Sequence, residues 1–314
     1  MGRLLSVVII ILIAIGSFFY WQKDKNLLFS PTAGDIGVSK TQIVNNWFPT
    51  TKSSKELNSL GLSAKSAILV NYETGDVIYA KDPTLKLAAA STIKIMTALV
   101  ALENAKLSDK FIVSEKAAKI GENSMNLAVG EKLTLEELLY GLMLVSGNDA
   151  AITIAEGVAG SEEKFVELMN SKVKSLGLFD TKFVNASGLD EDGKDQYSTA
   201  YDMAVIAHYL WEQHPEIQKI TSTYQKEIAP NSNHKYFNLY NDTNLLTTYP
   251  GVYGIKPGFT WNAGLCLVTY SENGGQKLLA VILGSDDRRG EMKELLDFGF
   301  GTFGIKIDHP ALDM

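Results

Sequence analysis

Strand-type patterning lies at both ends of the patterned part of this chain, with helix-type patterning between, and that order restricts the fold more than any other feature. Ala67 to Tyr72 and Asp76 to Ala80 are apolar, β-prone runs flanking Glu73-Thr74-Gly75, which is hairpin chemistry. Three more runs close the chain: Val252–Ile255, Leu265–Ser271 and Lys277–Gly284, the last two joined at Asn273-Gly274-Gly275. Between them the period changes. Ile93, Met96, Leu99, Val100 and Leu102 fall at helical spacing from Ser91 to about Ala105. Thr134 with Glu137 forms a capping box ahead of Leu138, Leu139, Leu142 and Met143. Helices are also expected over 149–158, 161–176, 198–213 and about 289–299. The reading is an α+β domain: one antiparallel sheet built from both ends, flanked by helices and carrying a helical insertion.

Composition removes several function classes. The net charge is −7, and no cluster of Lys and Arg stands out, so phosphate-backbone binding and a nucleic-acid partner are not expected. The lone cysteine, Cys266, sits in an apolar run and reads as a buried structural thiol. The four histidines show no His-Glu-x-x-His arrangement, so neither a metal site nor a cofactor is implied.

The N-terminus bears on location. After Arg3, an apolar stretch runs from Leu4 to Trp21, broken by Ser6, Gly16 and Ser17 and followed by Lys23. Its length falls between a secretory core of about 7–15 residues and a bilayer span of about 20. Ala14-x-Gly16 would suit cleavage of a signal, whereas Phe18, Phe19, Tyr20 and Trp21 continue the run as an interfacial aromatic belt would, which favours an anchor. The expected organisation is an anchor or signal over 1–21, a stalk over 22–61 and a catalytic domain over 62–314, outside the cytoplasm.

Three short motifs carry chemistry. Ser91-Thr92-Ile93-Lys94 places a hydroxyl and an amine one helical turn apart, at a helix end with free N–H groups. A lysine held neutral by apolar neighbours such as Ile93, Ile95 and Met96 can take the serine proton. The same spacing at Ser161/Lys164, Ser171/Lys174 and Ser232/Lys235 reads as a cap or as solvated faces. Ser146-Gly147-Asn148, taken alone, is common turn chemistry; as a site it offers Ser146 for proton relay and Asn148 as an amide that grips a substrate backbone. Lys256-Pro257-Gly258, at the end of the 252–255 strand, offers a cation for a carboxylate, a glycine for close approach, and the Phe259 N–H as an oxyanion donor.

Ser-x-x-Lys, Ser-x-Asn and Lys-x-Gly in this order form the triplet of penicillin-binding proteins and class A β-lactamases. The chain resembles the serine-type D-alanyl-D-alanine carboxypeptidases, the low-molecular-mass penicillin-binding proteins. Besides the triplet, the resemblance rests on Leu138-Leu139-Tyr140-Gly141-Leu142, Asn185-x-x-Gly188-Leu189, Tyr197-Ser198-Thr199-Ala200-x-Asp202, Asn244-Leu245-Leu246 and Gly254-Ile255-Lys256-x-Gly258-x-Thr260, over roughly residues 62–300. It implies a β-lactamase/transpeptidase-like fold, with Ser91 as acyl-enzyme nucleophile, Lys94 as base, Ser146 as relay and Lys256 as carboxylate anchor. It also implies a stem peptide ending in D-Ala-D-Ala as substrate, β-lactams as covalent inhibitors and no cofactor.

Two departures from the family pattern matter. Pro257 stands where threonine usually offers a hydroxyl to the substrate carboxylate, with Thr260 the nearest replacement, and Gln196 stands where histidine is common. No Glu-x-x-Leu-Asn loop lies between the second and third motifs, so penicillin is expected to leave slowly, unlike from a β-lactamase. The chain ends soon after the closing helix, so the extra C-terminal β domain of some members is not expected. Three activities stay open: a D,D-carboxypeptidase, a D,D-endopeptidase on cross-links, and a non-catalytic tethered binding protein disabled by Pro257.

Overall fold

The computed structural model describes residues 47–50, 60–243 and 245–310. The segments expected as anchor and as most of the stalk, and Asn244 of the Asn-Leu-Leu motif, lie outside the described residues. Strands β1 (Ser66–Asn71) and β2 (Val77–Lys81) form the first hairpin. A 3₁₀ turn, Ala90–Ile93, leads into α1 (Lys94–Asn104). The insertion follows: β3 (Lys110–Ile112), α2 (Glu115–Ala118), β4 (Lys132–Thr134), α3 (Leu135–Leu144), α4 (Asn148–Ala159), α5 (Glu162–Ser175), α6 (Ala200–Gln213) and α7 (Pro215–Thr221). A two-stranded ribbon, β5 (Gln225–Ile228) and β6 (Phe237–Tyr240), and a short helix α8 (Leu245–Thr248) complete it. The chain then returns to the main sheet through β7 (Val252–Thr260), β8 (Gly264–Asn273) and β9 (Gln276–Ser285), and closes with α9 (Arg288–Thr302).

The main sheet has the order β2-β1-β9-β8-β7, antiparallel throughout, so the strand nearest the N-terminus pairs with the last one. Both faces are covered. Successive residues point to opposite sides of a strand, and in β9 Leu279, Val281 and Leu283 enter the core shared with the insertion while Leu278, Ala280 and Ile282 enter the core beneath α9. That two-sided burial is why β1 and β9 read as unbroken apolar runs rather than alternating ones.

Two sequence expectations shift. Residues 47–50, assigned to a stalk, pair with the first hairpin: Thr50 N–H donates to Gly75 O and Val77 N–H to Thr50 O, both at 2.9 Å, and the Trp47 ring stacks on His208 at 3.8 Å. The strand expected to stop at Ile255 continues through Lys256-Pro257-Gly258 to Thr260. Proline is tolerated there because β7 is an edge strand, with β8 on one side only.

The capping box forms as expected. Thr134 Oγ1 accepts from Glu137 N–H at 3.2 Å, and the Glu137 carboxylate accepts from Thr134 N–H at 2.8 Å. This fixes the start of the helix whose far end delivers Ser146. Thr134→Ala is expected to cost about 1 kcal/mol of stability and about 2–4 °C in Tm, while Thr134→Ser restores most of it; thermal unfolding of the three proteins checks this.

Candidate active site

The first motif opens as a 3₁₀ turn rather than directly as an α-helix, and Ala90 just before Ser91 sits at φ +48°. A non-glycine residue in that region is strained and needs its surroundings to hold it. Lys94, the first residue of α1, has no exposed surface. Its Nζ lies 2.8 Å from Ser91 Oγ, 2.8 Å from Asn148 Oδ1 and 2.5 Å from Ser187 O. Burial drives the Lys94 amine well below the ordinary lysine range, and the positive charge of Lys256 adds to this; Glu122 and Asp149 oppose it. Loss of its proton would give this amine a lone pair 2.8 Å from the Ser91 hydroxyl.

The acceptors around Lys94 are themselves braced. Ser187 lies in the Asn185-x-x-Gly188-Leu189 loop, where Asn185 Oδ1 accepts from Gly188 N–H and Asn185 Nδ2 donates to Leu189 O. Gly188 is at φ +86°, and a Cβ there would stand 2.2 Å from Ala90 O. Only glycine lets this loop lie against the nucleophile turn. Gln196, in the place of the family's histidine, accepts from Val184 and Asn185 N–H and so supports the loop from behind. Asn148 is held between Lys94 and Gly121 O, to which its Nδ2 donates at 3.2 Å. Its expected grip on a substrate backbone is therefore reduced to whatever donor capacity Nδ2 retains. Its principal partner is Lys94.

Ser146 is at φ +58°, and its Oγ is buried without a hydrogen-bond partner among the described residues. The Nζ of Lys256, also fully buried, likewise has no partner. Burial and the nearby Arg288 pull the Lys256 ammonium down to about 7 against the opposing charge of Asp242. Gly258 carries the strand across the nucleophile: a Cβ there would be 3.0 Å from the nitrogens of both Ser91 and Thr92. Ser91, Ser146, Asn148, Pro257, Gly258 and Phe259 line one cleft, whose void including its mouth is about 530 Å³. The triplet thus converges.

Thr260 does not line that cleft. Its Oγ1 accepts from Ala263 N–H at 3.1 Å and caps the β7–β8 turn. The sequence reading also missed two participants. Arg288, at the start of α9, lines the cleft and donates to Gly258 O at 2.7 Å; an Asp-Asp-Arg-Arg run carries no signal of its own, and only the sheet order brings it here. Ser187 contributes a backbone carbonyl, which its side-chain type does not announce. Cys266 is buried, as expected of a structural thiol. Of the other Ser-x-x-Lys spacings, Ser161 caps α5 by accepting from Lys164 N–H. Among the described residues no group of histidine, cysteine and carboxylates is arranged to hold a metal.

Residues 50–287 match the family model described as D-alanyl-D-alanine carboxypeptidase. D-alanyl-D-alanine carboxypeptidase DacF of Bacillus subtilis (strain 168) is 40% identical over 260 residues, which are 80% of this chain and 66% of that protein. DacC of Escherichia coli (strain K12) is 35% identical over 274 residues, or 81% and 66%. The matches thus span about two thirds of these relatives' length. Among solved structures, a DD-transpeptidase of Streptomyces superposes with a TM-score of 0.73 at 27% identity, covering 78% of this chain and 99% of its own. The carboxypeptidase DacD of Francisella tularensis gives 0.72 at 27%, covering 85% and 75%.

The buried Lys256 has a thermodynamic consequence. A lysine in the unfolded chain titrates near about 10.4, but in the fold at about 7. Between those values the unfolded chain holds the extra proton. Stability therefore rises with pH across that window, by at most about 1.4 kcal/mol per unit, and the full penalty acts below it. Lys256→Met is expected to be more stable than the parent near neutral pH and to lose that advantage towards about pH 10; denaturant unfolding across the range measures it.

Proposed function

The chain belongs to the D-alanyl-D-alanine carboxypeptidase family, and from that premise we propose that it is a serine D,D-carboxypeptidase that removes the terminal D-alanine from peptidoglycan stem peptides through an acyl-enzyme. The observation that carries this reading is the desolvated Lys94 amine 2.8 Å from the hydroxyl of Ser91, at the wall of an open cleft.

In this reading Lys94 takes the Ser91 proton as Oγ adds to the carbonyl of the penultimate D-alanine. The oxyanion lies between the N–H groups of Ser91 and Phe259, with Gly258 giving it room. The proton held by Lys94 reaches the leaving nitrogen through Ser146, which regains a proton as it gives one and whose Oγ lacks a partner among the described residues, and the C–N bond breaks to release D-alanine. Water then adds to the ester, its proton returning through Lys94, and Ser91 is restored. Asn148 acts chiefly by holding Lys94 in place. The substrate's terminal carboxylate has two cations to meet, the buried Lys256 and the cleft-lining Arg288. Pro257 supplies the cleft wall but no hydroxyl, so cationic attraction replaces one neutral hydrogen bond. β-Lactams enter the same cleft and acylate Ser91.

Action lies outside the cytoplasm, with residues 4–21 as anchor. Among the described residues no helix is long and apolar enough to cross a membrane.

A fluorescent penicillin is expected to label the parent protein and not Ser91→Ala, to be released slowly, and a Lys-D-Ala-D-Ala peptide to yield D-alanine. Absence of label on the parent would instead identify a non-catalytic binding protein, and label without D-alanine an endopeptidase or a disabled enzyme. Pro257→Thr is expected to raise kcat/KM about five-fold, the worth of about one hydrogen bond, read by D-alanine release.

A further inference from the structure

The catalytic cleft contains a carboxylate that the chemistry above leaves unused. Glu122 lines it together with Ser91, Ser146 and Asn148, is exposed, and makes no hydrogen bond or ion pair among the described residues. Its backbone is strained: φ is +54°, in the left-handed region that a residue with a Cβ enters at a cost. Two bonds from one residue hold it there. Asn148 donates its N–H to Asn123 O at 2.8 Å and its Nδ2 to Gly121 O at 3.2 Å, one on each side of Glu122. The same Asn148 accepts from Lys94 Nζ through its Oδ1 at 2.8 Å. The strained residue and the buried amine are thus fixed to a common anchor.

The surroundings of Lys94 show what a carboxylate at this place does. Its three hydrogen-bond acceptors, Ser91 Oγ, Asn148 Oδ1 and Ser187 O, are all neutral. Beyond burial itself, charge reaches the amine from three groups: Lys256 on β7 disfavours its proton, while Glu122 on the 121–124 loop and Asp149 on α4 favour it. Asp242 and Arg288 act on Lys256 instead. Asp149 is buried and already accepts from the Ser124 hydroxyl and from the N–H groups of Met125 and Leu127. Those donors answer much of its charge. Glu122 has none, so its charge is left to act across the cleft.

We propose that Glu122 is a positioning residue for the base: its carboxylate, held at the cleft wall by Asn148, stabilises the ammonium that Lys94 becomes each time it takes a proton from Ser91. A base whose protonated form is better stabilised is stronger once neutral, but needs a higher pH to become neutral. The inference rests on the reading of Lys94 as base and adds the group that sets its strength.

The test follows the rate of Ser91 acylation by a fluorescent penicillin against pH in the parent, Glu122→Gln, Glu122→Gly and Glu122→Asp. Without the carboxylate, Lys94 is neutral at lower pH and weaker as a base. The ratio of the Glu122→Gln rate to the parent rate is therefore expected to be about three-fold greater on the acid limb than on the alkaline plateau, the worth of an exposed charge pair. High salt is expected to shrink that difference, and Glu122→Asp to restore the parent profile. Repulsion of the penicillin carboxylate by Glu122 would scale the rate alike at every pH and cannot produce it. Glu122→Gly relieves the strained φ, so it is expected to unfold at no lower temperature than the parent and still to show the change, which separates loss of charge from loss of structure. A ratio constant across pH in Glu122→Gln overturns the proposal. If the parent is not acylated at any pH, the reading of Ser91 as nucleophile fails, and a side-chain NMR titration of Lys94 then judges Glu122 by itself. A lower midpoint in Glu122→Gln upholds the proposal; an equal midpoint overturns it.

Discussion

An ammonium group taken out of water is the constraint around which this site is built. Removing such a charge from solvent costs several kcal/mol even after the protein relaxes, and Lys94 is fully buried. The fold offsets part of that cost with three oxygen acceptors from three different places: the nucleophile turn, the start of α4 and the 185–189 loop. None is free to move away. Asp149 ties the 124–127 segment to α4 through Ser124, Met125 and Leu127. Thr97 and Glu162 bond the carbonyl and the N–H of Ala186. Because every acceptor is fixed, the amine stays next to Ser91, and its lowered proton affinity becomes available to chemistry.

The second constraint is that a sheet edge must pass over the serine. β7 brings Gly258 so close to the nitrogens of Ser91 and Thr92 that any side chain there would press on the turn. An edge strand is the right element for this, since its outer backbone groups need no partner strand and remain for a ligand. The same edge accommodates Pro257, which a central strand would not. Loss of the threonine hydroxyl is thus a local change in the chemistry of the cleft wall, and the nine-residue strand continues unbroken across it.

What was legible in the sequence follows from the range of each interaction. The capping box at Thr134, the hairpins at Gly75 and Gly274, and the helical periods of α1 and α3–α6 are set by residues a few positions apart, so they read directly. The three motifs were readable as residue types in order. Their convergence was not, because it depends on β1 pairing with β9 across the whole insertion. Arg288 reaches the cleft only through that closure, while the Ser187 carbonyl and the engagement of Asn148 by Lys94 arise from packing within the insertion. The cap that Thr260 gives the turn to β8 is likewise a local interaction. The β5–β6 ribbon escaped notice because strands of four residues give too short an alternation to register.

Among the described residues, Ser146 Oγ and Lys256 Nζ are two of several buried polar groups without a hydrogen-bond partner. Leaving such groups unmatched destabilises a fold, and Ser146 adds a strained backbone to that cost. Both belong to the triplet, whereas the bracing residues around Lys94 are hydrogen-bonded throughout. The pattern is that of a site pre-organised for a ligand that supplies the missing partners: a carboxylate for the cation and a leaving nitrogen for the hydroxyl. In the proposed reading a bound carboxylate would favour the charged form of Lys256, so the cost of leaving that group unpartnered and its attraction for an anion have one physical origin.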